Sequence, residues 1–196
     1  MSNIEVFNIE TSFIQQAITG MRFALKSAKH SDSKVYNNGF EIGDKDKALA
    51  LKLIKAGTSH SKFMRFIQVN FTVKAPLYWW KHFATYHFAD SLSESTMHTL
   101  MKRQLDKNDF AKDTDEDIIA IVNENIYLGK FEEAVNNLPC SFLQSRMIST
   151  NYACLRNMYF QRRNHKLQEW HDFFEELLPH LPENIFIIAE KGKSDE

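Results

Sequence analysis

The chain is poor in cysteine, nearly neutral and free of long apolar runs, and each shortage excludes something. Cys140 and Cys154 are its two cysteines in 196 residues. They lack the spacing of a metal motif and read as reduced, buried residues of a cytoplasmic protein. The formal net charge of −1 gives no bulk electrostatic case for DNA, RNA or an acidic membrane. No apolar run approaches the roughly 20 residues of a membrane span. The opening residues, MSNIEVFNIE, lack the basic start and apolar centre of a secretion signal. Neither an internal repeat nor a linker divides the chain. A single domain over residues 1–196 is therefore expected, with 190–196 as a flexible, solvated tail.

What is present is enough apolar material for a core, at 43% hydrophobic and 13% aromatic. Ile67, Val69, Phe71 and Val73 alternate with Gln68, Asn70 and Thr72, the period of a half-buried strand. Pro76 suits the first turn of a following helix, expected to run to Ala89 and to open into the polar loop Asp90 to Thr96. A short first strand is expected at Ile4 to Ile9. A helix capped by Thr11 or Ser12 should follow, and a loop from His30 to Gly43. Asp44 is the expected cap of a helix that Gly57 ends. Further helices are expected after Met97, at Ile118 to Gly129 and at Phe131 to Leu138. A long helical region is expected from Ser141 to Leu178, breaking near Asn164. It carries Trp170, Phe173, Phe174 and Leu177 at i, i+3, i+4, i+7 spacing. Ile185 to Ile188 reads as a final strand. The class is α+β, a central sheet covered by helices.

The stretch Asn70 to Pro76, NFTVKAP, resembles a strand of the flavin-dependent thymidylate synthases, which reads F-T-F-x-V-K-A-P or similar. In that family a helix follows, then the signature R-H-R-x-x-S-x-N-E-x-S-x-R. Aligned without gaps, Thr85, Tyr86 and His87 stand at R-H-R, Leu92 and Ser93 at N-E, Ser95 at the second serine and Met97 at the last arginine. A shift by one residue puts His87 on the histidine, Ser91 on the first serine, Glu94 on the glutamate, Thr96 on the second serine and His98 on the last arginine. The ungapped register is preferred because the other needs an insertion in a packed helix. Downstream, Asn151, Asn157, Arg162 and Gln168 fall at the spacings of the family's N-x-R, N, L-R and A-Q. Ala153 stands for the first arginine and Gln161 for the leucine.

The resemblance implies an FAD-dependent enzyme, a homotetramer with its sites between subunits. It would act on a pyrimidine deoxynucleotide, with NADPH and methylenetetrahydrofolate as co-substrates. His87, Asn151 and Asn157 are its cofactor-binding candidates. His82, Glu94, Ser95, Thr96 and Arg162 are its substrate-binding candidates; no catalytic residue and no metal ligand is assigned. Arg162 offers a planar fork of donors to a phosphate. A stripe along one helix would join it to Asn151, so that one ligand meets both. A flavin ring needs apolar walls, available from Trp79, Trp80 or Tyr86.

Plainer readings stand beside these. Both tryptophans are more often core. His87 can be a satisfied core histidine, and Arg162-Arg163 a solvated pair. The hydroxyls from Ser91 to Thr96 can serve turns and the cap at Met97. The alternative function is a non-catalytic nucleotide-binding or assembly protein that keeps the fold.

Overall fold

A computed structural model describes all residues except Met1, Asn38 and 191–196; most of the expected tail therefore lies outside the described residues. The strands are β1 (Glu5–Ser12), β2 (Lys34–Tyr36), β3 (Gly39–Glu41), β4 (Gln68–Pro76), β5 (Asp90–Ser93) and β6 (Leu143–Asn151). The helices are α1 (Ile14–Met21), α2 (Asp44–Lys55), α3 (Leu77–Phe83), α4 (Thr96–Thr99), α5 (Glu116–Tyr127), α6 (Phe131–Asn137), α7 (Tyr152–Arg162), α8 (Gln168–Leu177) and α9 (Ile185–Ile188). The class is α+β. A four-stranded antiparallel sheet runs in the order β1-β4-β6-β5, and β2 and β3 form a separate hairpin. No helix among the described residues is long and apolar enough to cross a membrane.

The period-two pattern of β4 fulfils its promise. Val69, Phe71, Val73 and Ala75 are fully buried on one face. Phe71 meets Phe173 of α8 at 5.8 Å between ring centroids. Trp79 sits among Trp80, Phe83, Trp170 and Phe173 at 4.8–5.3 Å. Both tryptophans are thus core and not a ligand wall. A second, smaller cluster gathers Leu100, Leu105, Phe110, Ile119, Val122 and Ala134.

The largest departure from expectation is β6. The stretch expected to be helical from Ser141 is a nine-residue strand up to Asn151. Opposite Val69, Phe71, Val73 and Ala75 it sets Thr150, Ile148, Arg146 and Gln144. Three of these four core-facing residues are polar, so the alternation of apolar residues that marks a strand is missing. Helix begins only at Tyr152, and Asn151 is its N-cap, accepting a hydrogen bond from the Cys154 N–H at 3.0 Å.

Smaller corrections have local causes. Helix α3 stops at Phe83 instead of Ala89, and Asp90–Ser93 pairs with β6 as an edge strand rather than a loop. The insertion that counted against the shifted register would therefore fall in a turn, where it is readily absorbed. Ile185–Ile188 is a turn of helix whose Phe186 and Ile187 are buried. The loop before Gly43 contains the β2–β3 hairpin. β1 runs through Thr11 and Ser12, and the residue ahead of α1 is Phe13, at φ 64° and without a side-chain cap. Asp44 lies inside α2. That helix is capped from outside by the Asp32 carboxylate, which accepts from the N–H groups of Lys45 and Asp46 at 2.8 and 3.0 Å. A Cβ at Gly43 would collide with Asp32. Cys154 is buried as expected, but Cys140, in the turn before β6, is exposed.

Candidate functional site

Three polar residues of β6 and α7 shape the segment after α3. The Thr150 hydroxyl donates to the Phe88 carbonyl at 2.8 Å, and the Cys154 thiol to the His87 carbonyl at 3.1 Å. Gln144 donates through Nε2 to the Glu94 carbonyl at 2.9 Å and to Thr96 Oγ1 at 3.1 Å. The polar core row of β6 is therefore the template on which residues 87–96 are laid.

A pocket of about 740 Å³ opens between this turn, the segment following α2 and one face of α7. Tyr86, His87 and Phe88 form its rim. Thr58, Ser61 and Arg65 line one side. From α7 come Ala153, Arg156, Asn157, Phe160 and Gln161, at i, i+3, i+4, i+7 and i+8. No Asp or Glu lines it. Asn151 accepts from Cys154 and Asn157 accepts from Gln161 Nε2 at 3.1 Å. Both side-chain NH2 groups lack a protein acceptor among the described residues. Arg156 donates through Nη1 to the carbonyls of Ile187 and Ala189 at 2.9 and 2.6 Å, while its Nη2 is buried without a partner. Burial pushes the pKa of this guanidinium down.

The predicted residues divide among three places. His87, Asn151 and Asn157 share the pocket wall; His87 is exposed in its turn and is not a core histidine. Arg162 lies outside that wall. Its Nε donates to the Tyr86 hydroxyl at 2.7 Å, and its guanidinium is 5.2 Å from the Trp170 ring centroid. Nearby, the rings of His82 and His165 meet edge to face at 5.4 Å. Burial lowers the His165 pKa, and so do Arg162, His82 and His171. Burial raises the Tyr86 pKa against the opposing hydrogen bond from Arg162. Glu94, Ser95 and Thr96 form the third group. Glu94 Oε2 accepts from the Ser145 N–H at 2.9 Å, and Ser95 Oγ pairs with His98 Nδ1 at 2.6 Å.

The stripe expected to link Asn151 to Arg162 runs through Leu155 and Met158, both fully buried. It is the core face of α7, and the two polar residues stand at its opposite ends, about 16 Å apart at 1.5 Å per residue. Arg65 and Arg156 were missed. The signal for Arg156 was available in the Ala153, Asn157, Phe160, Gln161 face, once the helix is started at Tyr152. Arg65 carries no sequence signal of its own. Among the described residues no cluster of His, Cys, Asp or Glu could hold a metal ion.

No family model matches the chain, and no curated protein does. Solved structures do. The chain is similar to two crystal structures of thymidylate synthase X from Helicobacter pylori with FAD and dUMP. One gives 20% identity and a TM-score of 0.74 over 95% of this chain and 97% of that one. The other gives 19% and 0.76 over 95% and 98%. The UMP/dUMP methylase PolB from Streptomyces cacaoi, bound with 5-Br dUMP, gives 15% and 0.62 over 91% and 90%. The fold is that of the flavin-dependent thymidylate synthases. Thr85, Tyr86 and His87 form the turn that borders the pocket, and β5 and α4 follow it in the chain. Tyr86 joins the pocket to the Arg162 group, since it lines the first and binds the second.

Proposed function

We propose that residues 1–196 form a single-domain, cytoplasmic, homotetrameric flavoprotein that binds a pyrimidine deoxynucleotide. One observation carries this reading: His87 is more than 60 residues from Asn151 and Asn157 in sequence, yet it lines with them one pocket that holds Arg65 and Arg156 and no carboxylate. The donor set fits an anionic dinucleotide such as FAD. Arg65 and the unpartnered Nη2 of Arg156 suit its phosphates, the free amides of Asn151 and Asn157 its polar edges, and Tyr86, Phe88 and Phe160 its flat rings. The chemistry that FAD supplies when bound is redox: it carries reducing equivalents from NADPH in a methylene transfer from methylenetetrahydrofolate. Arg162 keeps a fork of donors beyond the one given to Tyr86, and with His82 it suits the nucleotide. Glu94, Ser95 and Thr96 are the remaining substrate candidates, contributed across a subunit boundary.

The second reading is a non-catalytic nucleotide-binding or assembly protein. It is favoured by the replacement of arginines by Thr85, His87, Met97 and Ala153, each a lost charge-assisted bond worth about 1.5–3 kcal/mol. Calorimetry with FAD and dUMP, together with the colour of the purified protein, tests the first reading. We expect a yellow protein whose dUMP affinity falls about 10- to 150-fold in Arg162→Ala and recovers in part in Arg162→Lys. Arg163→Ala should change little, because Arg163 pairs with Glu190 at the surface. Equal losses for Arg162→Ala and Arg163→Ala would remove the nucleotide assignment. Absence of any flavin binding would favour the non-catalytic reading.

A further inference from the structure

Phe88 is left outside both hydrophobic clusters. The residue is 81% exposed, yet it lines the pocket. Its φ is 60°, the left-handed region in which Cβ crowds the backbone and which residues other than glycine, asparagine and aspartate avoid. The turn has little freedom to relax. The carbonyl before Phe88 accepts from the Cys154 thiol, and its own carbonyl accepts from the Thr150 hydroxyl. A phenylalanine held in a strained conformation without packing contributes nothing to the fold that a small residue would not. Strain of this kind persists where the surrounding structure enforces it and is concentrated at ligand clamps.

We propose that Phe88 is a stacking wall of the pocket, closing its ring over the planar heteroaromatic ring of the bound ligand. The inference rests on the flavin reading and adds a residue that the ungapped register of the signature does not mark. The pocket supplies what such a ligand needs beside a stacking face: the cations Arg65 and Arg156 for a phosphate, and Tyr86 and Phe160 as further aromatic lining. A π-face stacks on any flat heterocycle. The isoalloxazine and the purine of a dinucleotide are thus both served by this chemistry, and the arms of the test separate them.

The test compares the native protein with Phe88→Ala, Phe88→Trp and Phe88→Gly. Each is titrated with FAD, FMN and AMP by calorimetry, and with the two flavins also by quenching of flavin fluorescence. Phe88→Ala should lose about 5- to 150-fold in affinity for FAD. The loss should recur with FMN if the isoalloxazine stacks there and with AMP if the purine does. Phe88→Trp should keep the affinity and quench flavin fluorescence more strongly. Without ligand, Phe88→Ala should melt within about 3 °C of the native protein, since an exposed ring is removed. Phe88→Gly should melt no lower, because glycine relieves the backbone. Native-like affinity in Phe88→Ala, with the native protein binding, would overturn this inference alone. So would a collapse of the unliganded Phe88→Ala variant, which would make the ring structural. Failure of the native protein to bind any of the three ligands would overturn the inference together with the flavin reading.

Discussion

Strands β4 and β6 lie side by side at the centre of the sheet and pair with each other over nine residues each. Their core-facing rows are opposites. β4 offers Val69, Phe71, Val73 and Ala75; β6 offers Gln144, Arg146, Ile148 and Thr150. The first row packs against the aromatic cluster around Trp79. The second binds polar partners through Gln144, Arg146 and Thr150. Gln144 holds Glu94 and Thr96, its carbonyl accepts from Trp80 Nε1 at 2.9 Å, Arg146 lies 4.6 Å from the Trp80 ring centroid, and Thr150 holds Phe88. One strand makes the core, and the other uses the core's edge to aim the segment that borders the pocket. A buried polar row is retained only when its groups are paired, and here Gln144 and Thr150 find partners in Glu94, Thr96 and Phe88, in the segment that borders the candidate site.

The contrast can be broken at graded cost. The largest effect is expected for Phe71→Asp. A lone carboxylate among aromatic rings would cost about 4 kcal/mol or more, seen as loss of the cooperative transition in urea. Pro76→Ala, at the strand's end, should be far milder. An unchanged melting temperature for Phe71→Asp would mean that the facing assigned to β4 is wrong.

Neither inner row contains a carboxylate, so the acid sensitivity of the fold should lie elsewhere, at Asp46. Burial pushes this carboxyl up, but hydrogen bonds from Ser31, Ser33 and Arg22 outweigh it and hold the pKa below its ordinary 3.8. The stabilisation is complete above that ordinary value and is lost as pH falls through the lower folded value. Asp46→Asn leaves Arg22 without its buried partner and should cost about 3 kcal/mol at neutral pH. The deficit should shrink in acid, where the native carboxyl is itself protonated. Urea melts at a series of pH values test this, and a pH-independent deficit would contradict it.

Gln144→Leu sharpens the comparison by giving β6 an apolar residue. It should cost about 1–3 kcal/mol, because Arg146 Nε and the Glu94 carbonyl lose their partner. Hydrogen exchange should rise in residues 94–96. A more stable protein with unchanged exchange would show that the polar row is dispensable. The smallest effect is expected for Thr150→Val, nearly isosteric and missing one hydrogen bond, at about 1 kcal/mol. Its flavin affinity should fall further than its stability, since the freed turn carries Phe88 and His87. Equal affinity in the two proteins would separate the turn from the pocket.

The sequence by itself determined β4, the amphipathic faces of α2, α5 and α8, and the ends of α2 and α5 at Gly57 and Gly129, both at positive φ. These elements bury apolar side chains at the period of their own backbone, so the pattern is local. It also marked His87, Asn151 and Asn157, which share one pocket. Only the tertiary structure decided β6, the short α3 and the strand at Asp90–Ser93. Their partners are polar and lie about 50 to 60 residues away in the chain, as with Gln144 and Glu94 or Thr150 and Phe88, and a local window cannot contain them. The same reason hides Arg65 and Arg156, whose meaning depends on which face of α7 closes the pocket. That face was settled where helix α7 begins, at the Asn151 cap, and a strand with a polar core row decided where that is.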